Sequence, residues 1–144
     1  MLDVSGAALA RVRDRLGPAA EGVRWIEADV TGEWAVEPVD IWHDRAVFHF
    51  LTGSSDRDRY MYRLREAVRP NGHVILATFA LTGPQMCSGL EVMRHSADTL
   101  AAALGREFRL VRSFDEHHAT PRGVTQAFCW TLFKRTAAAG EERS

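Results

Sequence analysis

Apolar residues at Ala8, Leu9, Val12 and Leu16 are spaced three to four positions apart, the spacing of one helical face. Ser5 precedes this run and can cap the helix through its side-chain oxygen. Gly17-Pro18 stops it, so the helix spans Ala7 to Leu16. A second helix is predicted from about Asp56 to Val68, with Tyr60, Leu64, Ala67 and Val68 on one face. A third spans Ala97 to Leu104, capped by Ser96 and ended by Gly105. Strands are predicted at Leu2–Val4, Val23–Ala28, Val39–Trp42, His73–Phe79, Phe108–Phe114 and Val124–Phe133. HVILATF at 73–79 is almost continuously apolar, as a strand covered on both faces should be. Arg69-Pro70-Asn71-Gly72 reads as a helix stop and tight turn. Residues 81–95 read as a long loop and 116–122 as a polar connection.

The resulting order is β-α-β-β-α-β-α-β-β. Alternating strands and helices predict an α/β fold, a mostly parallel sheet with helices on both faces. The last two strands have no helix between them and should form an antiparallel pair. The tail from Thr136 to Ser144 is polar and expected to fray. A length of 144 residues suits one domain, placed at residues 1–135.

Composition narrows the function classes. Eighteen Lys and Arg against 19 Asp and Glu give a net charge of −1, which argues against a general nucleic-acid binder. No apolar run approaches the roughly 20 residues of a membrane span, so no membrane partner is expected. Cys87 and Cys129 are too few for a disulfide framework, and MLDVSGAALARV has no signal-peptide pattern. The expected location is the cytoplasm. Six histidines occur, but none with H-x3-H spacing, nor do the cysteines show C-x2-C, so no metal is expected. Arg57, Arg59, Arg63 and Arg65 alternate with Asp56, Asp58 and Glu66 on one helix, the composition of a solvated face.

In an open α/β sheet, ligands bind beyond the carboxyl ends of the strands. Asp3, Asp29 and His43-Asp44-Arg45 stand at those ends. Two carboxylates there suit a nucleoside: one accepts from a ribose diol, the other from a purine amine.

With these residues in view, the sequence resembles the class I S-adenosyl-L-methionine-dependent methyltransferases, which have a Rossmann-like sheet. The resemblance rests on Leu2-Asp3-Val4-Ser5, Glu27-Ala28-Asp29-Val30, the run Asp40 to Leu51 (DIWHDRAVFHFL) and Leu64 to His73 (LREAVRPNGH). The two acids lie 26 positions apart (29 minus 3), which fits one strand–helix–strand unit. The resemblance implies that Asp3 holds the cofactor ribose, that Asp29 with the backbone at Val30 faces the adenine, and that Asp44 lies near the methionine part. It implies a small-molecule methyl acceptor. His43 and Asp44 would be the catalytic residues, and Arg45, His49, Cys87, His117 and His118 would line the acceptor site. His43 could equally orient the neighbouring loop, and His49, on a helical turn, could pack.

The family carries a strand, a glycine-rich loop and a helix ahead of the stretch matched here. This chain has no G-x-G at its start and enters at the family's second strand, so it reads as N-terminally truncated. In the family order 3-2-1-4-5-7-6 the missing strand is central. A late gene start, a natural fragment, direct pairing of the flanking strands, or a homo-oligomer would each account for this. The alternative function is a non-catalytic fragment acting as an oligomeric binding or interaction module.

Overall fold

The structure is a computed structural model, and it describes residues 1–137. The end of the polar tail, 138–144, lies outside the described residues. The chain divides into two compact units, Met1–Val36 and the part from Glu37 onward.

The first unit is a small strand–helix–strand. β1 (Leu2–Asp3) pairs in parallel with β2 (Ile26–Glu27), in the register Leu2 to Ile26 and Asp3 to Glu27. Between them runs α1 (Gly6–Leu16). As the sequence predicts, the Ser5 side chain accepts from the N–H of Ala8, at 3.1 Å. Gly17 ends α1 with φ 55°, a conformation that glycine adopts without steric cost. The strand expected at 23–28 shrinks to two residues. A ladder extends only as far as its partner, and β1 offers just Leu2 and Asp3.

The second unit is a four-stranded sheet in the order β3-β4-β8-β7, with β3 at Val39–Arg45, β4 at Val68–Phe79, β7 at Phe108–Ala119 and β8 at Thr125–Arg135. β3 and β4 run parallel; β4–β8 and β8–β7 are antiparallel. The antiparallel pair expected at the C-terminal end is present, and it is longer than predicted. The segment read as a polar connection, Glu116–Ala119, continues β7, and the turn tightens to the residues between Ala119 and Thr125.

α2 (Ser54–Ala67) runs straight into β4. Arg69-Pro70-Asn71-Gly72 is a bulge within β4, since Val39 pairs with Val68 and Ile41 with His73. Asn71 takes φ 65°, which asparagine tolerates better than most residues. A Cβ on Gly72 would stand 2.8 Å from the Arg69 carbonyl oxygen and 3.0 Å from that of Asp40.

The expected loop at 81–95 contains a small hairpin, β5 (Met86–Cys87) with β6 (Leu90–Glu91), turned by Ser88 and Gly89 at φ 51° and 79°. α3 (Ala97–Leu104) keeps its predicted bounds. Ser96 and Thr99 form a reciprocal capping box at its start, and Gly105 at φ 81° stops it.

Side chains alternate across the sheet. One face carries Trp42, Asp44, Val74, Leu76, Thr78, Cys129, Thr131 and Phe133, and is buried except at Trp42. α2 covers it through Tyr60, which meets Trp42 edge-on at 5.6 Å. α3 lies on the same side: Ala97 packs against Ala80, Ala127 and Cys129, and Arg65 of α2 donates to the Leu104 carbonyl at 2.8 Å. Burying Tyr60, Leu64, Leu76 and Phe133 contributes roughly 1.5–3 kcal/mol each. On the other face, Ile41, His43 and Arg45 of β3 and Arg109, Arg112 and Phe114 of β7 are exposed.

Candidate functional site

In the first unit, parallel pairing sets Asp3 opposite Glu27. The Ala28 N–H donates to the Asp3 carbonyl at 3.0 Å, and Asp29 follows directly. Asp3 and Asp29 therefore stand at the same end of neighbouring strands, Asp29 two residues beyond the register partner of Asp3. Asp3 Oδ1 accepts from the Ser5 N–H at 2.8 Å; no other hydrogen bond to its carboxylate occurs among the described residues. Asp29 Oδ1 accepts from the Thr31 N–H at 2.8 Å and from Thr31 Oγ1 at 2.7 Å. The Val30 carbonyl accepts from Trp34 Nε1 at 3.0 Å. Glu27 is a further acid here. Its carboxylate lies against Gly6, the first residue of α1, where a helix N-terminus favours negative charge. Glu27 is the last residue of β2.

One Asp3 carboxylate oxygen accepts no hydrogen bond among the described residues, and the two acids share one strand end, an acceptor set of the kind a ribose diol and a purine amine would need. Among the described residues, no glycine-rich turn stands beside β1.

In the second unit, β3 separates the three consecutive residues His43-Asp44-Arg45. Asp44 is only 6 % exposed. Its Oδ1 accepts from the Val47 N–H at 2.9 Å; its Oδ2 accepts from the Phe48 N–H at 3.1 Å and from the Tyr60 hydroxyl at 2.5 Å. Both oxygens are thus committed to the chain itself, and they fix the 3₁₀ turn Phe48–Phe50 beyond β3. Burial pushes the Asp44 carboxyl up; the bonds from Tyr60, Val47 and Phe48 and the nearby His43 pull the other way.

His43 and Arg45 point to the opposite face. The His43 ring lies nearly parallel to Trp130, at 6.2 Å and 17°. The Arg45 guanidinium sits over the Phe128 ring at 4.7 Å, within cation–π range. Cys87, half-buried, packs on the same cluster of Ala77, Phe79, Val92 and Phe128, beside Ala46, Phe50 and Trp130. The structure so brings His43, Arg45 and Cys87 together around Trp130 and Phe128. Trp130 also donates through Nε1 to Glu116 Oε2 at 2.6 Å.

His49 is not part of this wall's surface. It is 0 % exposed, and its Nδ1 accepts from the Phe79 N–H at 3.1 Å, tying the 3₁₀ turn to the end of β4. Burial and the neighbouring His95 hold it down at about 4. His117 and His118 are exposed on successive residues of β7, paired with Ala127 and Gln126. Alternation sends them to opposite faces, His118 to the face of Glu116 and Phe114. Among the described residues, no three His, Cys, Asp or Glu side chains gather as metal ligands.

A cleft of about 450 Å³ opens elsewhere in this unit, lined by Ala80–Thr82, His95–Asp98, Ser113–Asp115 and Cys129. None of the expected site residues borders it. Burial and the Asp115 charge push the Cys129 thiol up to about 11, which keeps it protonated and unreactive.

No family model and no curated protein matches this chain. Solved structures do. The N-methyltransferase NodS from Bradyrhizobium japonicum superimposes with a TM-score of 0.69 at 14 % identity, over 94 % of this chain and 71 % of that one. The 1,6-didemethyltoxoflavin-N1-methyltransferase of Burkholderia thailandensis, solved with 1,6-didemethyltoxoflavin and S-adenosylhomocysteine, gives 0.70 at 20 %, over 94 % and 60 %. An S-adenosylmethionine-dependent methyltransferase from Mesorhizobium loti gives 0.69 at 18 %, over 93 % and 78 %. The chain has the Rossmann-like fold of the class I S-adenosylmethionine-dependent methyltransferases. It spans between 60 % and 78 % of the length of these three neighbours.

Proposed function

We propose that this chain serves as a methyltransferase that uses S-adenosyl-L-methionine to methylate a small-molecule nucleophile. The observation that carries the reading is the parallel pairing of Leu2–Asp3 with Ile26–Glu27, which sets Asp3 and Asp29 at one strand end. Solved neighbours of the same fold that act on small molecules support it.

Bound cofactor supplies an electrophilic methyl group on a sulfonium. Asp3 holds the ribose hydroxyls, and Asp29 with the Val30 backbone faces the adenine. The acceptor lies against Trp130 and Phe128, with Arg45 for an anionic group, and Cys87 and His118 at the border. His43 takes the proton that the acceptor loses as its bond to carbon forms. Asp44 acts as a positioning residue, because its carboxylate holds the turn that follows His43 and Arg45. Alignment of acceptor and methyl carbon supplies most of the rate.

Equilibrium dialysis with radiolabelled S-adenosyl-L-methionine tests the reading. Saturable binding displaced by S-adenosylhomocysteine is expected; no saturable binding by the folded chain would overturn it.

A further inference from the structure

β7 is an edge strand. In the order β3-β4-β8-β7 it pairs with β8 on one side and, among the described residues, with nothing on the other. Every residue from Val111 to Ala119 is exposed. Sheet edges are usually blunted by a short strand, by lysine or proline, or by covering chain, because their free N–H and C=O groups template another strand. β7 is 12 residues long (FRLVRSFDEHHA) and contains neither lysine nor proline. Its register with β8 shifts between Leu110 and Arg112 and is regular from there to Ala119.

The register shows which backbone groups are free. The Ala127 carbonyl accepts from the Ala80 N–H, so Ala127 turns towards β4. Orientation alternates along a strand, so Phe128, Trp130 and Leu132 turn towards β7. Their partners are Glu116, Phe114 and Arg112. Those three bond to β8 through their backbones, while Ser113, Asp115 and His117 turn their N–H and C=O groups outward. The side chains of Arg112, Phe114 and Glu116 share one face. Arg112 forms no ion pair among the described residues, and its guanidinium lies over the Phe114 ring at 5.6 Å. Glu116 accepts from Trp130 through Oε2; its Oε1 accepts no hydrogen bond among the described residues.

We infer that β7 pairs antiparallel with β7 of a second copy of this chain, about a twofold axis at Phe114. In that register Ser113 of each copy faces Asp115 of the other, and the two exchange hydrogen bonds from the backbone groups that point outward. Phe114 meets Phe114, and Arg112 of each copy meets Glu116 of the other, at the closely spaced non-hydrogen-bonded positions. The segment is therefore self-complementary, and one sequence supplies both acid and base to two cross-strand ion pairs. Centring the axis on Asp115 instead would set Asp115 against Asp115 and Phe114 against Glu116, which like charge disfavours. A twofold contact of this kind closes as a dimer and leaves no β7 edge exposed. The inference does not rest on methyl transfer, since Arg112, Phe114 and Glu116 have no role in it.

Sedimentation velocity of the full chain, from low micromolar to several hundred micromolar, should show a monomer–dimer equilibrium that weakens as salt rises. Arg112→Glu opposes acid to acid at both pairs, and Glu116→Arg opposes cation to cation. Each variant alone should dissociate at least tenfold more readily. Mixed in equal amounts the two are complementary, and they should recover a dimer containing one of each. Ser113→Pro deletes an outward N–H, leaves the β8 ladder intact and should abolish the dimer. Circular dichroism checks that the variants fold. A natural chain that stays monomeric over the whole range would overturn the inference. So would a dimer that none of the three substitutions weakens, or a mixture no tighter than its two components alone.

Discussion

His43 and Asp44, consecutive on β3, face opposite sides of the sheet: the His43 ring lies 6.2 Å from Trp130, while Asp44 accepts a 2.5 Å bond from the Tyr60 hydroxyl beneath α2. A pair of neighbours in sequence is thereby split into a surface residue and a structural one. Their mutations should separate accordingly.

Asp44→Asn leaves one acceptor oxygen where three donors converge from Val47, Phe48 and Tyr60. It should cost about 2–3 kcal/mol of stability, because a buried donor loses its partner. Tyr60→Phe removes one of those donors and the acceptor of Trp42 Nε1, and should cost about 1–2 kcal/mol. Urea unfolding of the two single variants and the double should show that the costs are not additive, since the groups share a bond.

His43→Ala should behave in the opposite way. The ring is exposed, so stability should change by no more than about 0.5 kcal/mol. Turnover of an accepted substrate should fall by about 10²–10⁴ if the imidazole receives the proton. An unchanged kcat with Asp44 intact would remove His43 from the chemistry.

Stability should fall with acidity between pH 6.5 and about 4. Burial holds His49 and His95 at about 4, against an ordinary value of 6.5; His95 and Arg57, respectively, add their charges. A histidine depressed on folding contributes fully above 6.5. Its contribution is lost as pH falls toward the folded value, because the unfolded chain binds the proton first. Each should contribute about 2–3 kcal/mol across that window. Asp44 works against the trend, since its raised carboxyl takes up a proton sooner in the folded state. Urea midpoints measured from pH 7.5 to pH 4 check the sign. A flat profile would mean that both imidazoles reach solvent.

Gly72→Ala should destabilise the chain by about 1–3 kcal/mol, because the methyl meets the Arg69 carbonyl and Val68 Cγ1, each at 2.8 Å. Asn71→Gly, one residue earlier, should lie within about 0.5 kcal/mol of the natural chain, since φ 65° suits either residue. Thermal unfolding of the two variants tests whether the bulge in β4 is held by close backbone approach at residue 72.

Elements with local punctuation were legible in the sequence. α3 has its expected bounds because Ser96 caps it and Gly105 stops it at a positive φ. α1 begins at the expected cap for the same reason. What failed depends on partners distant in the chain. Asp115 to Ala119 are polar and exposed, so nothing local marks them as strand; β8 draws them into the ladder. Val23–Trp25 lie outside the two-residue ladder of β1 and β2; only the Arg24 carbonyl reaches across, accepting from the Met1 amino group at 2.6 Å. Strand alternation alone would have sent His43 and Asp44 to opposite faces. Which of the two faces is buried follows from Tyr60, sixteen positions on, and that relation is tertiary. The strand-end positions of Asp3 and Asp29 were legible because a strand–helix–strand unit fixes where its carboxyl ends lie.

Isothermal titration of S-adenosylhomocysteine into the natural chain and into Asp3→Ala probes most directly whether the paired strand ends hold a nucleoside. Loss of the ribose bonds should weaken binding by about 1–3 kcal/mol, a factor of roughly 5 to 150, while the fold persists. Equal affinity for the two proteins would contradict it.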